Sequence, residues 1–262
     1  MSGPNSISVD RLSKLIGTAN APLIVDVRLQ EDFALDPRRL PASKRVAHVE
    51  ITSVATPAAI VVCQRGAKLS HGAAALLRLK GVDAVSLEGG FEAWKIAKLP
   101  LVPETVIKSR WVTRHRPKID RIACPWLVKR FVDRDAEFLF VPPDDVEGVA
   151  QRFAATAYDM PDGFWSHEGE RCTFDKMLAE FGLETEALLH LARIVRAADT
   201  GKLELEPEAA GLLAISLGLS RQYSDDLEQL QAGLTVYDAL YRWCRDATDE
   251  THNWPMSKKI SA

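Results

Sequence analysis

Three short apolar runs constrain the first hundred residues more than any other feature: Leu23 to Val27 (LIVDV), Ala59 to Cys63 (AIVVC) and Ala84 to Leu87 (AVSL). Each is too short for an ordinary helix and is rich in Val and Ile, so each predicts a buried strand. Between the second and third, Leu69 to Lys80 repeats apolar residues at helical spacing (Leu69, Ala73, Leu76, Leu77, Leu79). Strands apolar on both faces and separated by helices predict a parallel sheet covered on both sides. Gly89-Gly90 ends the third strand, and Phe91 to Ala97 reads as a further helix. Leu99-Pro-Leu-Val-Pro103 predicts an extended linker, because closely spaced prolines disfavour helix. An α/β domain over residues 1–105 follows.

The second region has a different pattern. Arg110 to Arg114 and Glu137 to Val141 read as strands, and Arg121 to Val132 as a helix with Pro125 in its first turn. After Arg171 helices dominate. Thr173 is expected to cap a helix ended by Gly182. Glu184 to Asp199 is amphipathic, and Glu208 to Leu219, apolar nearly all round, is expected to be buried. A last helix carries Leu227, Leu230, Leu234, Tyr237, Tyr241 and Cys244 every three or four residues. Residues 109–247 thus predict a mostly helical α+β domain, and residues 248–262 a loose polar tail.

Charge divides the chain unevenly. The 262 residues carry a net charge of -3, but residues 1–105 hold 13 Lys/Arg against 10 Asp/Glu, and the remainder 20 against 26. Residues 108–134 alone hold nine basic and two acidic residues. The run Arg110, Arg114, Arg116, Lys118, Arg121, Lys129 and Arg130 is suited to a tetrahedral oxyanion, with Arg116 and Arg121 nearest a helix start. It also suits a solvated face paired to the acidic remainder. Only Trp111 and Trp126 interleave it, which disfavours nucleic acid. The absence of a C-x-x-C pair excludes a zinc ribbon. With no apolar run of membrane length and no leader-like start, the expectation is a cytoplasmic protein with free thiols and no membrane partner.

Cys63 stands where a strand gives way to Gln64-Arg65-Gly66-Ala67-Lys68 and then to a helix near Leu69-Ser70. There a sulfur sits among inward-pointing backbone N–H groups, which favour thiolate, as do the cations Arg65 and Lys68. The bland alternative is a buried strand-end cysteine. Three segments decide between them. Asp26-Val27-Arg28, Cys63-Gln-Arg-Gly-Ala-Lys-Leu-Ser70 and Gly89-Gly90-Phe-Glu-Ala-Trp94 resemble, in the same order, the motifs of the rhodanese family. The resemblance implies a sulfurtransferase in which Cys63 takes sulfur from a small donor such as thiosulfate and passes it to a thiol. Gln64, Gly66, Ala67 and Leu69 would line the substrate, and no cofactor would be required. Asp26 and Arg28 are read as a structural pair. The stretch Leu40-Pro-Ala-Ser43, with His48 beyond it, departs from the family pattern and bears on the choice of substrate.

Residues 109–246 resemble the C-terminal domain of ChrB-type chromate-resistance proteins. The likeness lies in Arg116 to Leu127, Ser166 to Asp175, Ile194 to Asp199, Leu212 to Arg221 and Tyr237 to Trp243. It implies a setting of chromate resistance. Within these segments Asp120, His167, Cys172, Asp175, His190 and Asp199 are candidate ligands for a divalent metal, and His167 and Asp199 are expected to converge with Asp120 or His190. Capping, packing and ion pairing are the alternative roles. The leading reading is sulfur transfer through Cys63 in a chromate or oxidative-stress setting. The rival is a chromate or metal sensor whose first half serves as a redox or docking module.

Overall fold

The computed structural model describes residues 5–250; the expected loose tail from residue 251 lies outside them. The three predicted strands are β2 (Leu23–Asp26), β5 (Ala58–Val62) and β6 (Asp83–Leu87). Two short edge strands, β1 (Ser6–Ile7) and β4 (Ser43–Arg45), complete a five-stranded sheet in the order β1-β6-β5-β2-β4, parallel throughout. Strands of two and three residues carry too little periodicity to be legible in advance.

Side-chain alternation divides this sheet between two cores. Ile24, Ile60 and Val62 point to one face, and Leu23, Val25, Ala59 and Val61 to the other. The second face is covered by α3 (Lys68–Leu79) through Ala73, Ala74 and Leu77. The first face meets Leu12 and Ile16, in and just beyond α1 (Val9–Leu15), and Phe91 and Trp94 of α4 (Gly90–Ile96). A small helix α2 (Gln30–Leu35) precedes strand β3 (Arg38–Arg39), which pairs antiparallel with β7 (Val102–Pro103).

In the second region β8 (Arg110–Arg114) lies between β9 (Glu137–Val141) and β10 (Thr156–Ala157), all parallel. Helix α5 (Asp120–Leu127) links β8 to β9, and α6 (Val146–Arg152) links β9 to β10. Then follow α7 (Thr173–Glu180), α8 (Glu186–Thr200), α9 (Ala209–Gln222) and α10 (Asp226–Asp246). The helix predicted over 121–132 is α5 continued by a wider π turn, Val128–Val132. Pro125 lies in the second turn, not the first. It has no N–H for the Arg121 carbonyl four residues back. The buried hydroxyl of Tyr158 supplies the missing donor, 3.2 Å from that oxygen.

Two further expectations are corrected. The stretch 99–108 is extended but is not a free linker: Leu101 and Val102 are buried and β7 is tied to β3. The sheet face that holds Ile24 and Trp94 continues without a break into Trp111, Trp126, Phe131 and Tyr241. The backbone also crosses the junction, with the Ala42 N–H donating to the Phe131 carbonyl at 2.6 Å. Gly17, at φ +79°, admits the second region, since a Cβ there would lie 2.3 Å from the Phe131 ring. Two sequence units therefore share one core. Helix α9 is the second correction. It buries Ala209, Leu212, Ser216 and Ser220, while Ile215 and Leu217 are about half exposed. Apolarity all round does not by itself specify how many neighbours a helix meets. Among the described residues no helix is long and apolar enough to cross a membrane.

Candidate functional sites

Cys63 follows the last residue of β5 and is buried. Its Sγ lies 3.4 Å from the Ala67 amide, which donates to it, and 3.2 Å from the hydroxyl oxygen of Ser70. The loop is shaped by backbone packed on backbone. Gly66 has φ +61°, and a Cβ there would lie 2.5 Å from the Leu87 carbonyl oxygen and the Gly89 nitrogen. A Cβ on Gly90, at φ +59°, would lie 2.2 Å from the Cys63 carbonyl oxygen. The Phe91 and Glu92 amides donate to the Cys63 and Gln64 carbonyls, at 2.9 and 3.0 Å. The Gly89-Gly90 turn is thus the seat on which the cysteine loop rests.

Burial pushes the Cys63 thiol up, but the Ser70 hydroxyl and the Ala67, Ser70 and Arg65 backbone outweigh it and hold the thiol below its ordinary value. The cations that the sequence pointed to, Arg65 and Lys68, are exposed, and neither side chain is among the groups that hold the thiol down. Ser70, fully buried, was visible only as the last letter of the motif. Among the residues expected to line the substrate, Ala67 and Gly66 shape the ring. Leu69 packs on the core, and the Gln64 amide donates to the Glu92 carboxylate at 2.6 Å. Asp26 and Arg28 are a buried pair at 2.7 Å. The guanidinium also donates to the Asp36 and Arg38 carbonyls and lies 3.8 Å over the Phe91 ring, next to the glycine seat. Their role is structural, as expected.

The second constellation gathers four separated segments. Asp120 is the first residue of α5 and its side chain is 1% exposed. Its carboxylate accepts the Thr173 and Phe174 amides at 2.7 and 3.0 Å and so fastens the start of α7. Asp199 lies in the last turn of α8, and His167 on the loop before α7. The His167 Nε2 lies 3.3 Å from Asp199 Oδ2, 3.5 Å from Asp159 Oδ1 and 3.6 Å from Asp120 Oδ2. Contact with Asp120, reinforced by Asp199 and Asp159, pushes the imidazole up to about 9. Burial, with Asp120 and Asp159 beside it, pushes Asp199 up to about 7. Asp159 is distinct in having arginine partners: Arg114 at 2.8 Å and Arg121 at 3.3 Å. Backbone at positive φ brackets the cluster, at Ile119 (42°) and Asp159 (52°).

Residues 111–244 match the family model of the ChrB C-terminal domain, slightly more than half of the chain. The chain belongs to this family. Residues 8–97 match the rhodanese-like domain. Protein ChrB of Cupriavidus metallidurans is 33% identical over 138 residues, which is 50% of this chain and 40% of that protein. The chain thus matches well under half of the length of that relative. Among solved structures, a rhodanese-like domain protein from Staphylococcus aureus is 30% identical and covers 34% of this chain and 90% of its own, with a TM-score of 0.31. A thiosulfate sulfurtransferase from Pseudomonas aeruginosa is 20% identical, covering 38% of this chain and 19% of its own, with a TM-score of 0.32. At these TM-scores the structural likenesses add nothing to the family matches and the strand order.

Within the ChrB domain the six candidate ligands separate. Asp120, His167 and Asp199 offer three atoms within 4.8 Å of one another. His190 does not join them; it faces Glu206 at 3.8 Å and the Trp243 ring. Cys172 is the N-cap of α7, one residue before the expected cap, and bonds Asp175 through both its amide and its sulfur. Burial pushes its thiol well up, so it is a neutral packing group. Asp175 is turned to Arg196 at 3.3 Å. The basic run is largely spent on internal acceptors. Arg116 donates to the Tyr223 carbonyl at 2.8 Å and to Ser220, Arg110 pairs with Glu137, and Arg130 pairs with Asp238. Arg116 and Arg121 therefore do not form the shared anion pocket expected of them. Asp159 and Arg114 were missed as members of the cluster, because isolated charged residues in a loop and at a strand end carry no periodic signal.

Proposed function

We propose that the chain is a sulfurtransferase working through a Cys63 persulfide, in a setting of chromate resistance. The observation that carries this reading is the buried Cys63 sulfur at the centre of a loop whose Ala67 amide and Ser70 hydroxyl face it at 3.4 and 3.2 Å. The amide donor, joined by the hydroxyl when its proton turns to the ionised sulfur, stabilises both the thiolate and the terminal sulfur of a persulfide anion. The cysteine thiolate attacks the outer sulfur of thiosulfate; the sulfur–sulfur bond of the donor breaks and sulfite leaves with the electron pair. A second nucleophile, a thiolate or cyanide, then attacks the terminal sulfur of the persulfide and restores the Cys63 thiolate. Arg65 and Lys68, both exposed and close to Cys63 in sequence, suit an anionic donor. The chromate setting rests on the ChrB domain.

The test is thiosulfate:cyanide turnover, with mass spectrometry of the thiosulfate-treated protein. Wild type is expected to gain one sulfur atom on Cys63 and to form thiocyanate, and Cys63→Ser to do neither. Turnover retained in Cys63→Ser, or no sulfur on Cys63 in folded wild type, overturns the reading.

A further inference from the structure

We propose that Asp120, His167 and Asp199 form a binding site for a first-row divalent cation in the ChrB domain. Two independent observations carry this. The first is geometric. A charge-assisted hydrogen bond draws its atoms to about 2.7–2.9 Å, and one N–H serves one acceptor well. The His167 Nε2 instead stands 3.3–3.6 Å from three carboxylate oxygens at once. Ligand bonds of about 2.0–2.1 Å in a tetrahedral sphere place neighbouring ligand atoms about 3.3–3.4 Å apart. The separations are those of an edge of a coordination sphere.

The second is a deficit of positive charge. Asp159 has Arg114 and Arg121. Asp120 and Asp199 have side chains 1% and 20% exposed, and among the described residues the only basic group within ion-pair distance of either carboxylate is His167. Two desolvated carboxylates share one imidazole, which can carry at most one positive charge, so the pair is left short of one. A divalent ion would neutralise both.

The surroundings suit the role. Asp120 is oriented by the Thr173 and Phe174 amides, as a ligand needs to be held from outside. His167 is 40% exposed, which leaves a side for entry and for coordinated water. One imidazole with carboxylates favours Mn²⁺, Fe²⁺ or Zn²⁺ over softer ions. The second histidine–carboxylate group, His190 with Glu206 and Glu208, differs because Arg193 already pairs with Glu206, and it serves as the control. None of these residues belongs to the Cys63 loop, so this site and the sulfur-transfer reading can fail separately.

The experiment uses the full chain, stripped with a chelator and titrated with Mn²⁺ under electron paramagnetic resonance, with Zn²⁺ as competitor. One Mn²⁺ per chain is expected, displaced by Zn²⁺. Its affinity should fall at least tenfold in Asp199→Asn and in His167→Gln and stay unchanged in His190→Gln. If Asp199→Asn does not fold, His167→Gln decides, since that side chain is partly exposed and helical circular dichroism reports its folding. No saturable binding by folded wild type, unchanged affinity in the His167 variant, or loss confined to His190→Gln would each overturn the proposal.

Discussion

Replacing Ser70 by Ala should slow the reaction of Cys63 at low pH and leave it intact at high pH. The Ser70 oxygen lies 3.2 Å from the Cys63 sulfur and 3.0 Å from the Ala67 carbonyl oxygen. Beside the neutral thiol the hydroxyl accepts from the sulfur and donates its one proton to that carbonyl; beside the thiolate it turns that proton to the sulfur, and the carbonyl keeps the His71 amide at 3.1 Å as its donor. The fold should therefore survive, and the loss falls on the thiolate. A hydrogen bond to a charged group contributes about 1.5–3 kcal/mol. At the lower figure the thiolate fraction below the titration midpoint drops about tenfold. The remaining thiolate is more basic and so more nucleophilic, by about threefold for that change. The net expectation is alkylation by iodoacetamide about three- to fourfold slower below the midpoint, a midpoint moved upward, and a high-pH plateau equal to or above that of wild type. Cys244, pushed up to about 12 by burial and by Glu208 beside it, should remain unreacted at neutral pH and serve as internal reference. Peptide mass spectrometry over a pH series reads both sites. A midpoint that does not move would show that the amides alone hold the thiolate; a uniform loss at all pH values would show that Ser70 only shapes the loop.

Three further outcomes are expected. Tyr158→Phe removes the donor that serves the Arg121 carbonyl opposite Pro125 and should cost about 1–3 kcal/mol in urea unfolding; unchanged stability would mean that another donor serves that carbonyl. Gly90→Ala drives a methyl into the Cys63 carbonyl at a positive φ, so thiosulfate loading should be lost and stability should fall by at least about 1 kcal/mol; normal loading would show that the loop tolerates displacement from its seat. Because one core runs through both halves, calorimetry should give a single unfolding transition, with residues 99–108 protected from protease; two separated transitions, or early cleavage in that stretch, would restore independent domains.

Much of the first half was legible because its signals are local. Strand runs such as Ala59 to Val62 are apolar at every position, and Gly66, Gly89 and Gly90 mark backbone that only glycine adopts at low cost. The Cys63 loop is a contiguous string, so its shape is written in the order of its residues. The donor that matters most beside the amides, Ser70, lies on the first turn of α3, and only the folded turn shows that its oxygen meets the sulfur.

The second half was legible in type but not in arrangement. Helices α8 and α10 followed from apolar spacing, yet the same reasoning buried α9, because periodicity reports which faces are apolar and not how many neighbours arrive to cover them. His167 and Asp199 were brought together in advance as candidates. That His190 stays apart, that Asp159 enters with two arginines, and that Arg116 turns to the Ser220 and Tyr223 carbonyls were decided by tertiary packing. Residues tens of positions apart acquire a common centre only when helices dock, and the order of residues along the chain holds no distance between helix ends. The same reason explains the shared core. The prolines of 99–103 specify an extended backbone, and whether that backbone is free or buried depends on what packs against Leu101 and Val102.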